Sequence, residues 1–169
     1  SSAASDVYKR QTLAVAGADG AVVVWNLADV AQPKVVHTLG GHVGAVHGLG
    51  WSLQAGLLAS AGEDGSVRPW NPVSGKEVRR LAAHQGAALS VSFSLDGKLL
   101  ASGGADRVLR VWNVVDGSER GAFINRLPLG KLAGFPDGRF LAGAQGKSLL
   151  AWKLPSERPV RTFAGSGGF

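Results

Sequence analysis

The sequence predicts an all-β protein made of short antiparallel sheets. Apolar residues alternate with polar ones over short runs, as at Leu89, Val91 and Phe93, and this is the period of a half-buried strand. Turn dipeptides such as Asp96-Gly97 separate the runs, because Asp-Gly readily adopts the positive φ angles of a tight hairpin. No stretch shows the 3.6-residue period of an amphipathic helix.

A pattern of four residue types occurs twice at fixed spacing. In residues 41–71 and again in 83–113, a His is followed 22 residues later by an Asp and then, 6 residues further, by a Trp, with a Ser four before the Asp. A partial copy keeps the spacing of 6 from Asp19 to its Trp. The Trp residues are 45, 42 and 40 residues apart, which matches the roughly 40–45 residue period of a four-stranded propeller blade. They are Trp25, Trp70, Trp112 and Trp152.

These residues resemble the signature of the WD-repeat family. Gly41-His42 and its variant Ala83-His84, the Ser, the turn Asp and the Trp stand where that family carries them, although the closing dipeptide reads Trp-Asn three times and then Trp-Lys. The resemblance covers nearly everything from Leu13 to Phe163. It implies a WD-repeat β-propeller segment of about four four-stranded antiparallel blades. Since such rings close with typically four to eight blades, we expect an incomplete ring, a fragment of a longer reading frame.

The turns divide the chain into predicted units. Residues 1–11 do not fit the repeat and are either a lead-in with an inner strand near Val7 and Tyr8 or a foreign tail, the second being favoured. The remaining units are a partial blade 1 at 12–40, blade 2 at 41–82, blade 3 at 83–125, a degenerate blade 4 at 126–165 and a truncated tail at 166–169.

Each predicted strand lies between turns rich in Gly, Pro, Asp or Asn. The strands are expected at 13–16, 21–27 and 34–39 in blade 1; at 45–51, 57–61, 66–70 and 77–81 in blade 2; at 87–93, 99–102, 108–114 and 119–123 in blade 3; and at 131–134, 140–142, 148–154 and 160–163 in blade 4.

Two places depart from the regular pattern. Pro69 lies inside the third strand of blade 2, where a proline removes a donor, and it predicts a bulge and a locally weaker strand. In blade 4, Arg126 aligns with the His position, Gln145 replaces the turn Asp, and one extra residue precedes Trp152. The polar network of blade 4 is therefore expected to be missing.

The repeated polar residues are predicted to be structural. In the WD-repeat family such residues form a buried chain from indole N–H through hydroxyl and imidazole to carboxylate, so that each polar group satisfies the next. A catalytic Ser-His-Asp triad is the alternative, but the set repeats in two blades and no G-x-S-x-G elbow is present. We therefore expect no enzymatic activity. The two tetrads are His42, Ser60, Asp64 and Trp70, and His84, Ser102, Asp106 and Trp112.

Other site chemistry has little support in the sequence. The chain has no Cys, which excludes disulfides and thiolate metal sites and leaves the redox compartment open. None of the 4 His forms an H-x-x-x-H pair with a carboxylate at ligand spacing, and the Gly-rich stretches lack a strand-to-helix context for phosphate. We expect no metal, cofactor or membrane span, and we take the cytoplasm as the working location.

The net charge of +6 and the pI near 10.2 suggest nucleic-acid binding as one alternative. However, many of the basic residues lie on or beside predicted outermost strands, where charge discourages aggregation between sheet edges. No aromatic residues are interleaved with them to stack on bases. A solvated basic rim is therefore the preferred interpretation. These residues are Lys34, Lys76, Arg79, Arg80, Arg120, Arg158 and Arg161.

The family resemblance implies that partners bind at the top face, through residues three and five after the His and the residue before the turn Asp. These positions are mostly small or apolar, which suits protein or peptide docking, although they equally fit permissive loop positions. The predicted function is a non-catalytic protein–protein interaction scaffold; the alternatives are a sensor or docking propeller of a multidomain enzyme and a basic nucleic-acid-associated propeller. The positions are Ala45, His47, Glu63, Ala87, Leu89, Ala105 and Lys131, together with Ala18, Leu129 and Ala144.

An open arc leaves its end blades without neighbours, and repeat arrays draw much of their stability from interfaces between neighbours. Beside protein or peptide partners, the expected partners are further blades of the parent chain or a second copy. We expect the isolated chain to aggregate or self-associate.

Overall fold

A computed structural model of the chain describes residues 11–134, 140–153 and 159–164. These residues form an all-β structure of four antiparallel sheets that follow one another along an open arc. Strands that are consecutive in the sequence are neighbours in the sheet, because short turns join them. The inner strand predicted near Val7 and Tyr8 lies outside the described residues.

The first sheet has three strands, and each of the other three has four positions across its width. Sheet 1 contains β1 (Thr12–Ala16), β2 (Val22–Asn26) and β3 (Lys34–Leu39); sheet 2 contains β4 (Val46–Ser52), β5 (Leu57–Gly62), β6 (Ser66–Asn71), β7 (Lys76–Glu77) and β8 (Leu81–Ala82); sheet 3 contains β9 (Ala88–Phe93), β10 (Leu99–Gly104), β11 (Val108–Asn113) and β12 (Glu119–Ile124); sheet 4 contains β13 (Lys131–Gly134), β14 (Phe140–Gln145), β15 (Ser148–Lys153) and β16 (Pro159–Ala164).

One strand differs in kind from its prediction. The outer strand expected at 77–81 is split into β7 and β8, which pair with opposite ends of β6. The carbonyl of Pro69 accepts the N–H of Val78 at 2.9 Å, so Pro69 faces the outer strand at the break. The missing N–H of Pro69 faces the same way, because both groups of a strand residue point to one side. The weak strand is thus the neighbour of Pro69, whereas β6 is continuous and buried.

The core lies between neighbouring sheets. Three clusters of buried apolar residues join sheets 1 and 2, sheets 2 and 3, and sheets 3 and 4. The Trp near the end of each third strand packs into the preceding sheet: Trp70 against Val22 and Val24, and Trp112 among Ala59 and Ala61. Because each sheet buries its face on the next, stability is shared among neighbour interfaces.

One edge of the sheets, here called the top edge, contains two sets of connections. They are the turns after β1, β5, β10 and β14 and the loops before β4, β9 and β13. There, turn glycines touch the loop of the next sheet. Gly20 has a φ of +85°, and a Cβ on it would lie 2.7 Å from the carbonyl oxygen of His42. Gly65 has a φ of +75°, and its Cβ would lie 2.5 Å from the carbonyl oxygen of His84. Only glycine fits this conformation at this distance.

A second contact repeats at the opposite, bottom edge. The His37 ring on β3 hydrogen bonds through Nε2 to the carbonyl of Val73, in the turn after β6, at 3.0 Å. Arg79 makes the equivalent bond to the carbonyl of Val115, 42 residues further along the chain, at 3.4 Å. The outer edges of sheets 1 and 2 are thereby tied to the bottom turns of sheets 2 and 3.

Candidate functional site

The first predicted tetrad forms one connected hydrogen-bond chain in sheet 2. The Trp70 indole nitrogen donates to Ser60 Oγ at 2.8 Å, and Ser60 Oγ lies 2.7 Å from His42 Nε2. His42 Nδ1 lies 3.0 Å from Asp64 Oδ1. Since the carboxylate only accepts, Nδ1 carries the proton and Nε2 accepts from the Ser60 hydroxyl. Every donor in the chain is used once, so buried polar groups are satisfied inside the blade.

The second tetrad repeats this geometry in sheet 3. Trp112 donates to Ser102 Oγ at 3.1 Å, Ser102 Oγ lies 2.9 Å from His84 Nε2, and His84 Nδ1 lies 2.9 Å from Asp106 Oδ1. Burial lowers the pKa of His84, although the bond to Asp106 acts in the opposite direction. The imidazole is therefore neutral, as the chain of donors requires.

The two aspartates also hold the top-edge loops. Asp64 Oδ2 accepts the N–H of Val43 at 3.3 Å, and Asp106 Oδ2 accepts the N–H of Gln85 at 3.2 Å. Burial raises the pKa of the Asp64 carboxyl, but hydrogen bonds from His42, Ser66 and Val43 outweigh burial and hold that pKa well below its usual range. The carboxylate is thus charged and fully occupied.

An arginine and a glutamate extend each tetrad, and the sequence predictions did not include them. Arg68 is only 6% exposed; its Nη2 lies 3.2 Å from Asp64 Oδ2 and its Nη1 2.8 Å from Glu77 Oε2. Arg110 joins Asp106 and Glu119 in the same way, at the longer distances of 3.8 and 3.6 Å. The sequence carries a signal for them: an Arg stands four residues after each Asp, and a Glu nine after each Arg.

Sheet 4 has no counterpart of this chain among its described residues. Trp152 is fully buried, and its indole nitrogen has no hydrogen-bond partner among the residues that the structure describes. Leu141 is the register partner of Trp152, so Gly143 occupies the place that Ser60 and Ser102 hold in the other sheets. A Cβ on Gly143 would lie 2.9 Å from Cζ3 of Trp152, which places the benzo edge of that indole where the other sheets have its nitrogen.

The hairpin of this sheet is also one residue shorter than that of sheet 2. Eleven residues separate Leu141 from its partner Trp152, against twelve from Leu58 to Trp70. The extra residue lies between Gln145 and Trp152, which are seven residues apart against six from Asp64 to Trp70, so the shortening lies before Gln145. Gln145 does not take the place of the turn Asp, because it pairs with Ser148 at the end of the strand and its amide donates to the carbonyl of Leu127 at 2.8 Å.

The predicted partner-binding residues are placed at the top edge. Glu63 is exposed, and its carboxylate accepts the N–H of Ala45 at 3.0 Å. Ala105 donates its N–H to the carbonyl of Ala87 at 2.9 Å in the equivalent pair of the next sheet. In sheet 2 and in sheet 3, two members of the predicted set are thus joined by a hydrogen bond. Of the others, His47 and Lys131 are exposed, and Leu89 is half-buried.

One residue of the wider set is not available to a partner. Leu129 is fully buried within the cluster that joins sheets 3 and 4, and its carbonyl accepts the hydroxyl of Ser90 at 3.3 Å. Its prediction as a docking residue is wrong, because the loop before β13 folds back into the interface between the sheets.

The bottom edge carries a groove that the sequence did not suggest. It has a volume of about 470 Å³ and lies where β4, β9 and β13 end, with Leu53, Leu95 and Leu132 in its lining. Leu53 and Leu95 are 48% and 59% exposed.

Among the residues that the structure describes, no group of three or more His, Asp or Glu side chains is arranged to hold a metal ion. In the same part of the chain, no helix has the length and apolar character needed to cross a membrane.

The fold and the tetrads define a β-propeller of the WD-repeat class. Residues 33–71 and 75–113 match the family model of the WD domain, G-beta repeat. Each match starts at the outer strand of one sheet and ends with the third strand of the next, as from β3 to β6. Two repeats of this chain thus match the WD-repeat family, and the chain has the WD-repeat β-propeller fold; propellers of this fold are generally protein-interaction scaffolds and typically non-catalytic.

Two similar proteins frame this assignment. NACHT domain- and WD repeat-containing protein 1 of Mus musculus is 39% identical over 69 residues, which are 41% of this chain and 4% of that protein. A chain in the crystal structure of a mitotic checkpoint complex superimposes with a TM-score of 0.82 at 22% identity, over 94% of this chain and 49% of that chain. The second likeness shows the fold. The chain spans a small part of the first relative's length and about half of the second's.

Proposed function

We propose that this chain is a non-catalytic scaffold that binds proteins or peptides through its top edge. The observation that carries the proposal is the anchoring of the top-edge loops. Asp64 and Asp106 each tie a loop to a buried tetrad, while His47, Glu63 and Ala105 remain exposed beside the anchored backbone. A surface fixed before binding loses less conformational entropy when a partner docks, so rigid loops favour recognition.

The state of the tetrad serines supports a non-catalytic role. Ser60 and Ser102 are fully buried, and each hydroxyl lies between an indole N–H and an imidazole. A nucleophilic serine must reach a substrate carbonyl that also has access to oxyanion donors. A hydroxyl enclosed on both sides by its own blade does not meet that requirement.

The proposal is tested by photo-crosslinking partners to the full chain and to two matched variants. Ala105→Glu adds a larger charged group at the top edge, and Val115→Glu adds the same group at the bottom edge, where Val115 is 83% exposed. We expect the first variant to lose the partners that the unmodified chain captures and the second to retain them. Loss confined to Val115→Glu would move the docking surface to the bottom edge and contradict the proposal.

A second candidate function is a docking or sensing propeller inside a larger multidomain protein. It is favoured by the name of the mouse relative, which combines WD repeats with a NACHT domain in one protein. Sequencing the reading frame on both sides of this chain tests it. A catalytic domain in the same frame would support this candidate, and further repeats alone would support a scaffold.

A further inference from the structure

We propose that the top edge of sheets 3 and 4 is a docking site for an acidic peptide segment of a partner protein. This inference rests on the proposed function and names the chemistry of the partner. Four exposed cations, here called the basic cluster, occupy this part of the top edge. They are Arg107, Arg126, Lys131 and Lys147.

The cluster is continuous along the edge. Arg107 lies in the turn after β10, and its carbonyl accepts the N–H of Asn125 at 2.8 Å, which places Arg126 beside it. The loop from Arg126 then runs to Lys131, whose register partner in sheet 4 is Ala144. Lys147 lies in the turn three residues after Ala144, and a Cβ on the preceding residue, Gly146, would lie 3.4 Å from Cδ1 of Leu127 in the loop that begins at Arg126.

Nothing in the described part of the edge neutralises these cations. No ion pair formed by the described residues includes a member of the basic cluster. The neighbouring Asp106 carboxylate is already bonded to His84, Gln85 and Val108. Between Glu119 and Glu157 the sequence has a single acidic residue, Asp137, which lies outside the described residues. The cluster is therefore a surface of uncompensated positive charge.

The backbone conformation of Arg107 is a second, independent observation that favours a binding site at this edge. Its φ is +64°, and it is the one non-glycine residue with positive φ among the described residues. Gly20 and Gly65 hold the equivalent place after Asp in sheets 1 and 2. A residue with a Cβ is strained in this conformation, and strain of this kind concentrates at binding sites. The sequence thus keeps a strained cation at the position where two other repeats have an unstrained glycine.

The charge distribution favours an acidic peptide over a nucleic acid. The top edge of sheets 1 and 2 carries the exposed carboxylates of Asp19 and Glu63, which would repel a long polyanion laid across the whole edge. The segments that carry the cluster contain no aromatic side chain on which bases stack. A short segment with several Asp or Glu residues can contact the cluster without crossing those carboxylates, and guanidinium groups pair well with carboxylates.

The experiment uses the full chain and fluorescence anisotropy with a short labelled peptide of Glu and Ser. We expect binding that weakens with added salt, and no binding of the same peptide with Gln in place of Glu. The double variant Lys131→Gln with Lys147→Gln should bind roughly tenfold more weakly, since two surface ion pairs are lost. The matched control is Lys153→Glu, which removes the same net charge at the bottom edge of the same sheet and should change affinity less than twofold.

Three other outcomes of these measurements would each contradict the inference. Equal losses in the double variant and in Lys153→Glu would show attraction to net charge alone. Tighter binding of an oligothymidylate with the same number of charges would assign the cluster to nucleic acid. If no Glu peptide binds while crosslinked partners still depend on Ala105, the proposed scaffold function stands and the acidic-peptide site is wrong. Unchanged circular dichroism of the variants confirms that folding is not the cause, because both lysines are exposed.

Discussion

Gly143 lies against the benzo edge of Trp152, whereas in the two preceding sheets a serine at the same register position bonds to the indole nitrogen. Trp152 therefore contributes packing, and no described residue bonds to its indole nitrogen. A Cβ on Gly143 would also lie 2.9 Å from the Leu132 side chain, so this sheet is packed for glycine and leaves no space to restore the serine.

The first prediction compares the same substitution in two sheets. Trp70→Phe removes ring volume and the bond to Ser60, whereas Trp152→Phe removes ring volume only. We expect Trp70→Phe to lower the free energy of unfolding by about 1 kcal/mol more than Trp152→Phe. Urea denaturation followed by circular dichroism measures the difference. Equal losses would mean that the hydrogen bond contributes nothing net.

The second prediction concerns the centre of a tetrad. Ser60→Ala leaves the Trp70 indole nitrogen and His42 Nε2 without partners in a buried site, and we expect a loss of about 2–4 kcal/mol in the free energy of unfolding. Ser74→Ala, at an exposed turn position, is the matched control and should change stability by less than about 0.5 kcal/mol. Similar losses in both variants would contradict a structural role for the tetrad.

The third prediction separates the two arginines that extend the tetrads. Arg68 is buried and within 3.2 Å of both its carboxylates, while the Arg110 side chain is 21% exposed and further from its partners. Arg68→Met should cost about 3 kcal/mol, because it leaves the buried Asp64 carboxylate without its closest cation, and Arg110→Met less than about 1 kcal/mol. Urea denaturation measures both losses in the free energy of unfolding. A larger loss for Arg110→Met than for Arg68→Met would contradict the prediction that burial of the arginine decides the cost.

The fourth prediction is a loss of stability in acid that occurs in two stages. The pKa of His84 is lowered in the folded chain from its ordinary value of 6.5, so the unfolded chain binds the proton first. Stability should therefore decrease as the pH falls below about 6.5. The pKa values of Asp64 and Asp106 are also lowered, from 3.8, so their contribution is present above about 3.8 and is lost as the pH falls further.

Thermal unfolding measured across this pH range tests the two stages. His84→Gln retains a polar side chain but does not titrate, and it should flatten the first stage while leaving the second in place. A first stage of unchanged size in that variant would assign it to another group.

The fifth prediction links strain to binding. Arg107→Gly removes a side chain from a residue with a φ of +64° and should raise the free energy of unfolding by up to about 1 kcal/mol. The same change removes one member of the basic cluster, so affinity for the Glu peptide should fall. Anisotropy and denaturation on one protein sample measure both effects. A gain in stability with unchanged affinity would separate Arg107 from the docking site.

Much of the fold follows from local sequence signals. The alternation of apolar residues and the Asp-Gly turns place the strands to within three residues of their observed ends, because hairpins are set by turn chemistry. The spacing of His, Ser, Asp and Trp indicated which side chains meet in sheets 2 and 3. The spacing did not predict the structure of sheet 4. Its hairpin is one residue shorter, which shifts the strand register, and no local sequence signal indicates that shift.

The sequence by itself determined the repeat, the all-β class and the members of both tetrads, since these depend on periodicity and on turn residues close together in the chain. Only the tertiary structure decided how neighbouring sheets meet. The burial of Leu129, the split opposite Pro69 and the bond from Asn125 to the turn carbonyl of Arg107 depend on contacts between strands distant in sequence. Such contacts are set by packing across an interface, and packing depends on the shape of both surfaces at once.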